Sequence, residues 1–115
     1  MSERPVTFTR EQIAEYAEAS GDHNPIHLDE EFARTVGLPG VIAHGMLQMG
    51  LLASLLTHEL GDHRRIRRLS VRFAGMVEPG DTVILGCGLE EGVAKLSALN
   101  QRGEAVLTKA SARLQ

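Results

Sequence analysis

The feature that most constrains the fold is a change of hydrophobic period around Gly61. From Gly45 to Leu60 the chain is apolar almost all round at helical spacing, through Leu47, Leu51, Leu52, Leu55 and Leu56. Such a segment predicts a buried helix rather than a surface one. Beyond Gly61 the period falls to two: Leu69, Val71 and Phe73 alternate with Ser70, Arg72 and Ala74, as in a half-buried strand. Glu78-Pro79-Gly80-Asp81 then signals a turn. Thr82–Leu89 and Val93–Asn100 read as strands joined around Gly92, and Glu104–Leu114 as a last strand with Val106, Thr108, Ala110 and Ala112 on one side. Helices first and an antiparallel meander after them imply an α+β fold whose sheet wraps the central helix. So few strands leave sheet edges and part of the helix uncovered, so the unit is expected to dimerise or to build a larger dimer-based assembly.

Upstream, Thr9 and Gln12 have capping-box spacing, and Phe8 and Ile13 are placed as a hydrophobic staple. A helix over Thr9–Ser20 follows, closed by Gly21. A second short helix starts at Asp29, turns Phe32 and Ala33 inward, and stops before Gly37-Leu38-Pro39-Gly40. A brief extended piece at Val41–Ala43 leads into the long helix. With 115 residues and no internal repeat or low-complexity linker, residues 1–115 read as a single domain.

Composition narrows the function classes. A formal net charge of −3 and an aromatic content of 3% without Trp argue against nucleic acid, which needs clustered positive charge and stacking platforms. Cys87 is the only cysteine, so neither an internal disulfide nor a multi-thiolate metal site is available. That fits a reducing compartment, most simply the cytoplasm. Residues 1–8 lack the apolar core of a secretory leader, and the Met46–Leu56 stretch is broken by Gln48, Gly50 and Ser54. It falls short of the roughly 18–20 apolar residues that span a bilayer, so no membrane partner is expected.

The chemistry concentrates in Ser20-Gly21-Asp22-His23-Asn24-Pro25-Ile26-His27. On a continuous helix Asp22 and His27 would stand roughly 140° apart. Pro25 forbids that helix, and a kinked loop can fold the two onto one point. A carboxylate and an imidazole converging there make a water-activating pair at neutral pH. Asp22 and Asn24 are equally ordinary turn formers, and Asn24 before Pro25 is an ordinary cap. Asp22, His23 and His27 lack a clean metal-ligand spacing, so no metal is expected. A second segment, Val41-Ile42-Ala43-His44-Gly45-Met46, places Gly45 at a helix start. Free N–H groups at that positive end suit a developing oxyanion. Gly45 equally serves to let the helix approach its neighbours.

Together the two segments resemble the MaoC-type dehydratase family, the (R)-specific enoyl-CoA hydratases. The family loop stands here as Gly21-Asp22-His23-Asn24-Pro25-Ile26-His27, its His-Gly-Met as His44-Gly45-Met46, and its later turn as Pro79-Gly80-Asp81. The likeness runs from about Phe8 to Leu114. It implies a hot-dog fold, a homodimer, and reversible hydration of a trans-2-enoyl thioester to the (R)-3-hydroxyacyl thioester, part of fatty acid metabolism, without metal or redox cofactor. It also implies Asp22 and His27 as the catalytic pair holding the attacking water and the Gly45 N–H as the oxyanion donor. Asn24 and His44 take supporting places. Some relatives carry a serine in the central helix; the matching position is Ala53, with Ser54 beside it as the remaining candidate hydroxyl.

The substrate implied is an acyl-CoA or an acyl carrier protein thioester. His63-Arg64-Arg65-Ile66-Arg67-Arg68 is a local basic run that suits CoA phosphates or the acidic face of a carrier protein, or is simply a solvated face. Two alternatives stand beside the hydratase: a thioesterase on a hot-dog fold, against which the Asp-Asn-Pro-His loop argues, and a non-catalytic acyl-CoA-binding module, which has no need of an intact Asp22 and His27.

Overall fold

The computed structural model describes residues 2–115. Strand β1 (Ser2–Thr7) precedes helix α1 (Arg10–Ser20), a single 3-10 turn at Pro25–His27, and the short helix α2 (Glu30–Thr35). The long helix α3 (Gly45–Leu60) follows, then β2 (Ile66–Phe73), β3 (Thr82–Glu90), β4 (Val93–Asn100) and β5 (Ala105–Leu114). The strands form one antiparallel sheet in the order β1-β3-β4-β5-β2. Leu52, Leu55 and Leu56 of α3 share one buried cluster with Val83, Leu85, Ala94, Ala98 and Val106 of the sheet. Fully burying a leucine such as Leu52 or Leu56 contributes roughly 1.5–3 kcal/mol, so this contact holds the helix to the sheet. The α+β arrangement expected from the change of period is the one observed.

Helix α1 begins as expected. Thr9 accepts a hydrogen bond from the Gln12 N–H at 3.1 Å, Phe8 and Ile13 are both buried, and Gly21 closes the helix with φ 79°. Strand β1 has no counterpart among the expected elements. Its side chains alternate only between half-buried and exposed, and Pro5 interrupts its donors. Proline is tolerated here because β1 is an edge strand, paired on one side only, with Pro5 opposite Ile84.

Four expectations need correction. Val41–Ala43 joins no ladder; two backbone bonds fix it, Ile42 N–H to Ile26 C=O at 3.1 Å and Ala43 N–H to Val77 C=O at 2.8 Å. Phe32 and Phe73 are 39% and 51% exposed, because α2 buries only Ala33 and β2 ends at the sheet edge. Helix α3 is not buried all round: Met46, Gly50, Ser54 and His58 form an exposed stripe at four-residue spacing. Finally, β5 does not keep a strict alternation. Ser70 pairs with Ser111 but Arg72 with Thr108, so β5 carries an extra residue at Lys109, whose φ is 49°. The bulge shifts the register, burying Val106, Leu107 and Ala112 while Thr108 and Ala110 stay half-buried. Among the described residues no helix is long and apolar enough to cross a membrane.

Candidate active site

Helix α1 ends where Ser20 and Gly21 turn the chain, and a ladder of side-chain caps then shapes the loop. Ser20 Oγ accepts from the Asp22 N–H at 3.1 Å, Asp22 Oδ1 from the Asn24 N–H at 3.2 Å, and Asn24 Oδ1 from the Ile26 N–H at 3.2 Å. Asn24 therefore caps the 3-10 turn that carries His27, with Pro25 as its first residue. These are the Asx turns that Asp and Asn favour. They consume one oxygen of Asp22 and leave Oδ2 free.

The turn brings His27 Nε2 to 4.0 Å from Asp22 Oδ2. His27 is 9% exposed, and its Nδ1–H donates to the Ile42 carbonyl at 2.7 Å. That bond fixes the ring orientation, so Nε2 is the nitrogen that faces the carboxylate. The His44 ring stacks on His27 with centroids 3.8 Å apart and an interplanar angle of 23°, and Tyr16 meets His44 edge-on at 4.8 Å. His44 Nε2–H donates to the Asp22 main-chain carbonyl at 3.0 Å, tying the loop to the start of α3. Burial pushes the His44 imidazole below its ordinary pKa of 6.5; the Asp22 carbonyl opposes this, and His27 adds to it.

No side chain caps α3, and Gly45 is its first residue. The first-turn N–H groups are thus left without intrahelical acceptors, at the positive end of the helix. They border a cavity of about 580 Å³ whose wall includes Asp22, His44, Gly45 and Gln48. Met46, Phe73 and Met76 supply the apolar part of that wall, and all three are at least half exposed. A Cβ on Gly45 would lie 2.9 Å from Phe73 Cε1, so the ring keeps its present place in the cavity wall only because residue 45 has no side chain. His27 is not in the cavity wall; it stands beside Asp22, which is.

The structure thus brings Asp22, Asn24, His27, His44 and Gly45 together. It does not bring Ser54, which is exposed on α3 and absent from the cavity wall. The reason is axial distance: Ser54 shares the solvent stripe of Met46, which does line the cavity, but lies about 12 Å further along the rod. His23 also turns away, paired with the exposed Glu18 at 2.9 Å. The metal-capable set is therefore Asp22, His27 and His44, with ligand atoms within 4.8 Å of one another, rather than Asp22, His23 and His27. It does not fit a metal well, since imidazoles coordinate in the ring plane and stacked rings have no shared plane. Gln48 was not anticipated. Its only signal in the sequence is a lone carboxamide between Leu47 and Met49.

The chain matches known proteins. The family model described as MaoC like domain matches residues 1–104. The peroxisomal hydratase-dehydrogenase-epimerase of Neurospora crassa is 39% identical over 79 residues, covering 69% of this chain and 8% of that protein. The peroxisomal enoyl-CoA hydratase 2 of Arabidopsis thaliana is 38% identical over 73 residues, covering 62% of this chain and 24% of that protein. The chain thus spans under a quarter of either curated relative. Among solved structures, the (R)-hydratase from A. caviae involved in PHA biosynthesis superposes with a TM-score of 0.80 at 30% identity, covering 99% of this chain and 93% of that one. The wrapped helix of the hot-dog fold, the loop bearing Asp22 and His27, and the family match over nine-tenths of its length place this chain in the MaoC-like domain family.

Proposed function

We propose that this chain hydrates trans-2-enoyl thioesters to (R)-3-hydroxyacyl thioesters, and catalyses the reverse dehydration. The observation that carries this reading is the 4.0 Å separation of Asp22 Oδ2 and His27 Nε2 beside the uncapped start of α3. That gap is too long for a direct hydrogen bond, yet one water oxygen about 2.8 Å from each atom closes the triangle. The pair would hold that water for attack, and the relatives' names, hydratase and dehydratase, agree with such chemistry.

The steps balance without a cofactor. The water oxygen bonds to Cβ as the double-bond electrons move toward the thioester carbonyl. The negative charge that develops on its oxygen is met by the Gly45 N–H. One of Asp22 and His27 takes a proton from the water, and the pair gives one to Cα as the enolate collapses, which restores its starting protonation. Each such proton-transfer role is worth about 10²–10⁴ in rate, and a well-placed oxyanion donor about 10²–10³. With a shared water, the pair rather than either residue is the acid–base unit.

The acyl group is carried by CoA or by a carrier protein. The basic run offers complementary charge to either, although Arg64 is already bonded to Asp62 at 3.1 Å. Two open sheet edges, β1 and β2, and the exposed Met46, Phe73 and Met76 around the cavity support a homodimer in which a second copy covers apolar surface. Cys87, buried and free, accords with a reducing, cytoplasmic setting. The test is hydration of crotonyl-CoA by the purified chain, followed by loss of enone absorbance and a chiral assay of the product. Decay yielding the (R) isomer is expected; stable absorbance at high protein concentration contradicts the reading.

A further inference from the structure

Among the described residues, Gln12, His44 and Gln48 each hold a buried side-chain atom with no hydrogen-bond partner, and Gln48 is the one that lines the cavity without any other side-chain bond. It sits one turn past His44, whose carbonyl accepts its backbone N–H at 3.3 Å, and it lines the same cavity as Asp22 and Gly45. It is 4% exposed, and its side-chain Oε1 is buried with no hydrogen-bond partner among the described residues. An apolar residue would fill this place without that penalty, as Leu47 and Leu52 do nearby. Buried polar groups are satisfied as a rule, and exceptions in a cavity wall point to a ligand.

The position restricts which ligand group can answer. Side chains on a helix lean toward its N-terminus, so the Gln48 carboxamide reaches back over the turn that begins at Gly45. On the hydratase reading, on which this inference rests, the thioester carbonyl lies at Gly45 and Cβ two carbons further along the acyl chain. Between those points an acyl thioester carries two oxygens, the carbonyl and the one at Cβ. The carbonyl only accepts hydrogen bonds and is already matched to a backbone donor. The oxygen at Cβ, as attacking water or as product hydroxyl, both donates and accepts.

We infer that Gln48 is a substrate-contacting residue whose carboxamide hydrogen-bonds the oxygen at Cβ, so that the cavity distinguishes a 3-hydroxyacyl thioester from its saturated counterpart. Gln48 transfers no proton; it orients the oxygen that Asp22 and His27 activate.

The test is calorimetric binding of (R)-3-hydroxybutyryl-CoA and butyryl-CoA to the wild-type chain and to Gln48→Met, which keeps the length and removes the amide. The variant should bind the hydroxyacyl ligand about tenfold more weakly and butyryl-CoA nearly unchanged. In turnover of crotonyl-CoA, which has no hydroxyl, kcat should fall while KM holds. Should Gln48→Met not fold, Gln48→Asn, which retracts the amide by one methylene, should give the same selective loss. Equal weakening of both ligands, or of neither, overturns the role of Gln48 and leaves the hydratase reading intact. If the wild-type chain binds neither ligand, that reading fails and the inference falls with it.

Discussion

The His27 ring donates its Nδ1–H to the Ile42 carbonyl at 2.7 Å, and this one bond decides which nitrogen meets Asp22. Ile42 is itself held by its N–H to the Ile26 carbonyl, so loop and helix-leading segment position each other. The pair is thereby preorganised in part by main chain, beside the side-chain caps of the loop.

Asn24 supports that geometry from below by capping Ile26. Replacing it by alanine removes a cap worth about 1 kcal/mol and loosens the turn that presents His27. Asn24→Ala should lose about 10- to 100-fold in kcat/KM for crotonyl-CoA with only a small drop in unfolding midpoint. Unchanged kinetics would show that the turn holds without its cap.

Gly45→Ala tests the close approach of Phe73. The added Cβ would meet the ring edge at 2.9 Å, but the ring is half exposed and can swing outward. The expected result is a stability change under about 1 kcal/mol together with at least about tenfold slower hydration, because the ring leaves its place in the cavity wall. Combining it with Phe73→Ala should be non-additive by about 0.5–3 kcal/mol in a double-mutant cycle of kcat/KM. Strict additivity contradicts the contact.

Two imidazoles should titrate on opposite sides of 6.5. Burial lowers His44, whereas the Glu18 carboxylate and then the Gly21 carbonyl raise the exposed His23. Folded His44 binds fewer protons than in the unfolded chain, so its contribution to stability is complete above pH 6.5 and is lost as pH falls. His23 acts in the opposite sense, complete below 6.5 and lost as pH rises through its raised value. Ring-proton NMR titration checks the order, and Glu18→Gln should return His23 toward 6.5 while His44 stays lowered, since the His23 charge is the smallest of its causes.

The parts of the fold legible in the sequence are those set by local periodicity and local capping. Thr9, Gly21 and the Pro79-Gly80-Asp81 turn declare themselves because their chemistry is satisfied within a few residues. Strand β1 was hidden because an edge strand with one half-buried face lacks clear alternation, and its partner lies about 80 residues away. The bulge at Lys109 was hidden because register is a property of three paired strands. In the site, the loop residues were readable since Pro25 limits the backbone locally. Gln48 and the exposure of Ser54 were not, because which face of α3 meets the cavity depends on how the rod is rotated against the sheet.

The most direct measurement is crotonyl-CoA hydration by Asp22→Asn, His27→Gln and the double variant, alongside their unfolding midpoints. Glutamine can still donate to the Ile42 carbonyl, so the fold should persist. If both groups act on one water, each single change should cost about 10²–10⁴ in kcat, and the double should cost little more than either. Full activity in folded Asp22→Asn and His27→Gln would contradict the account.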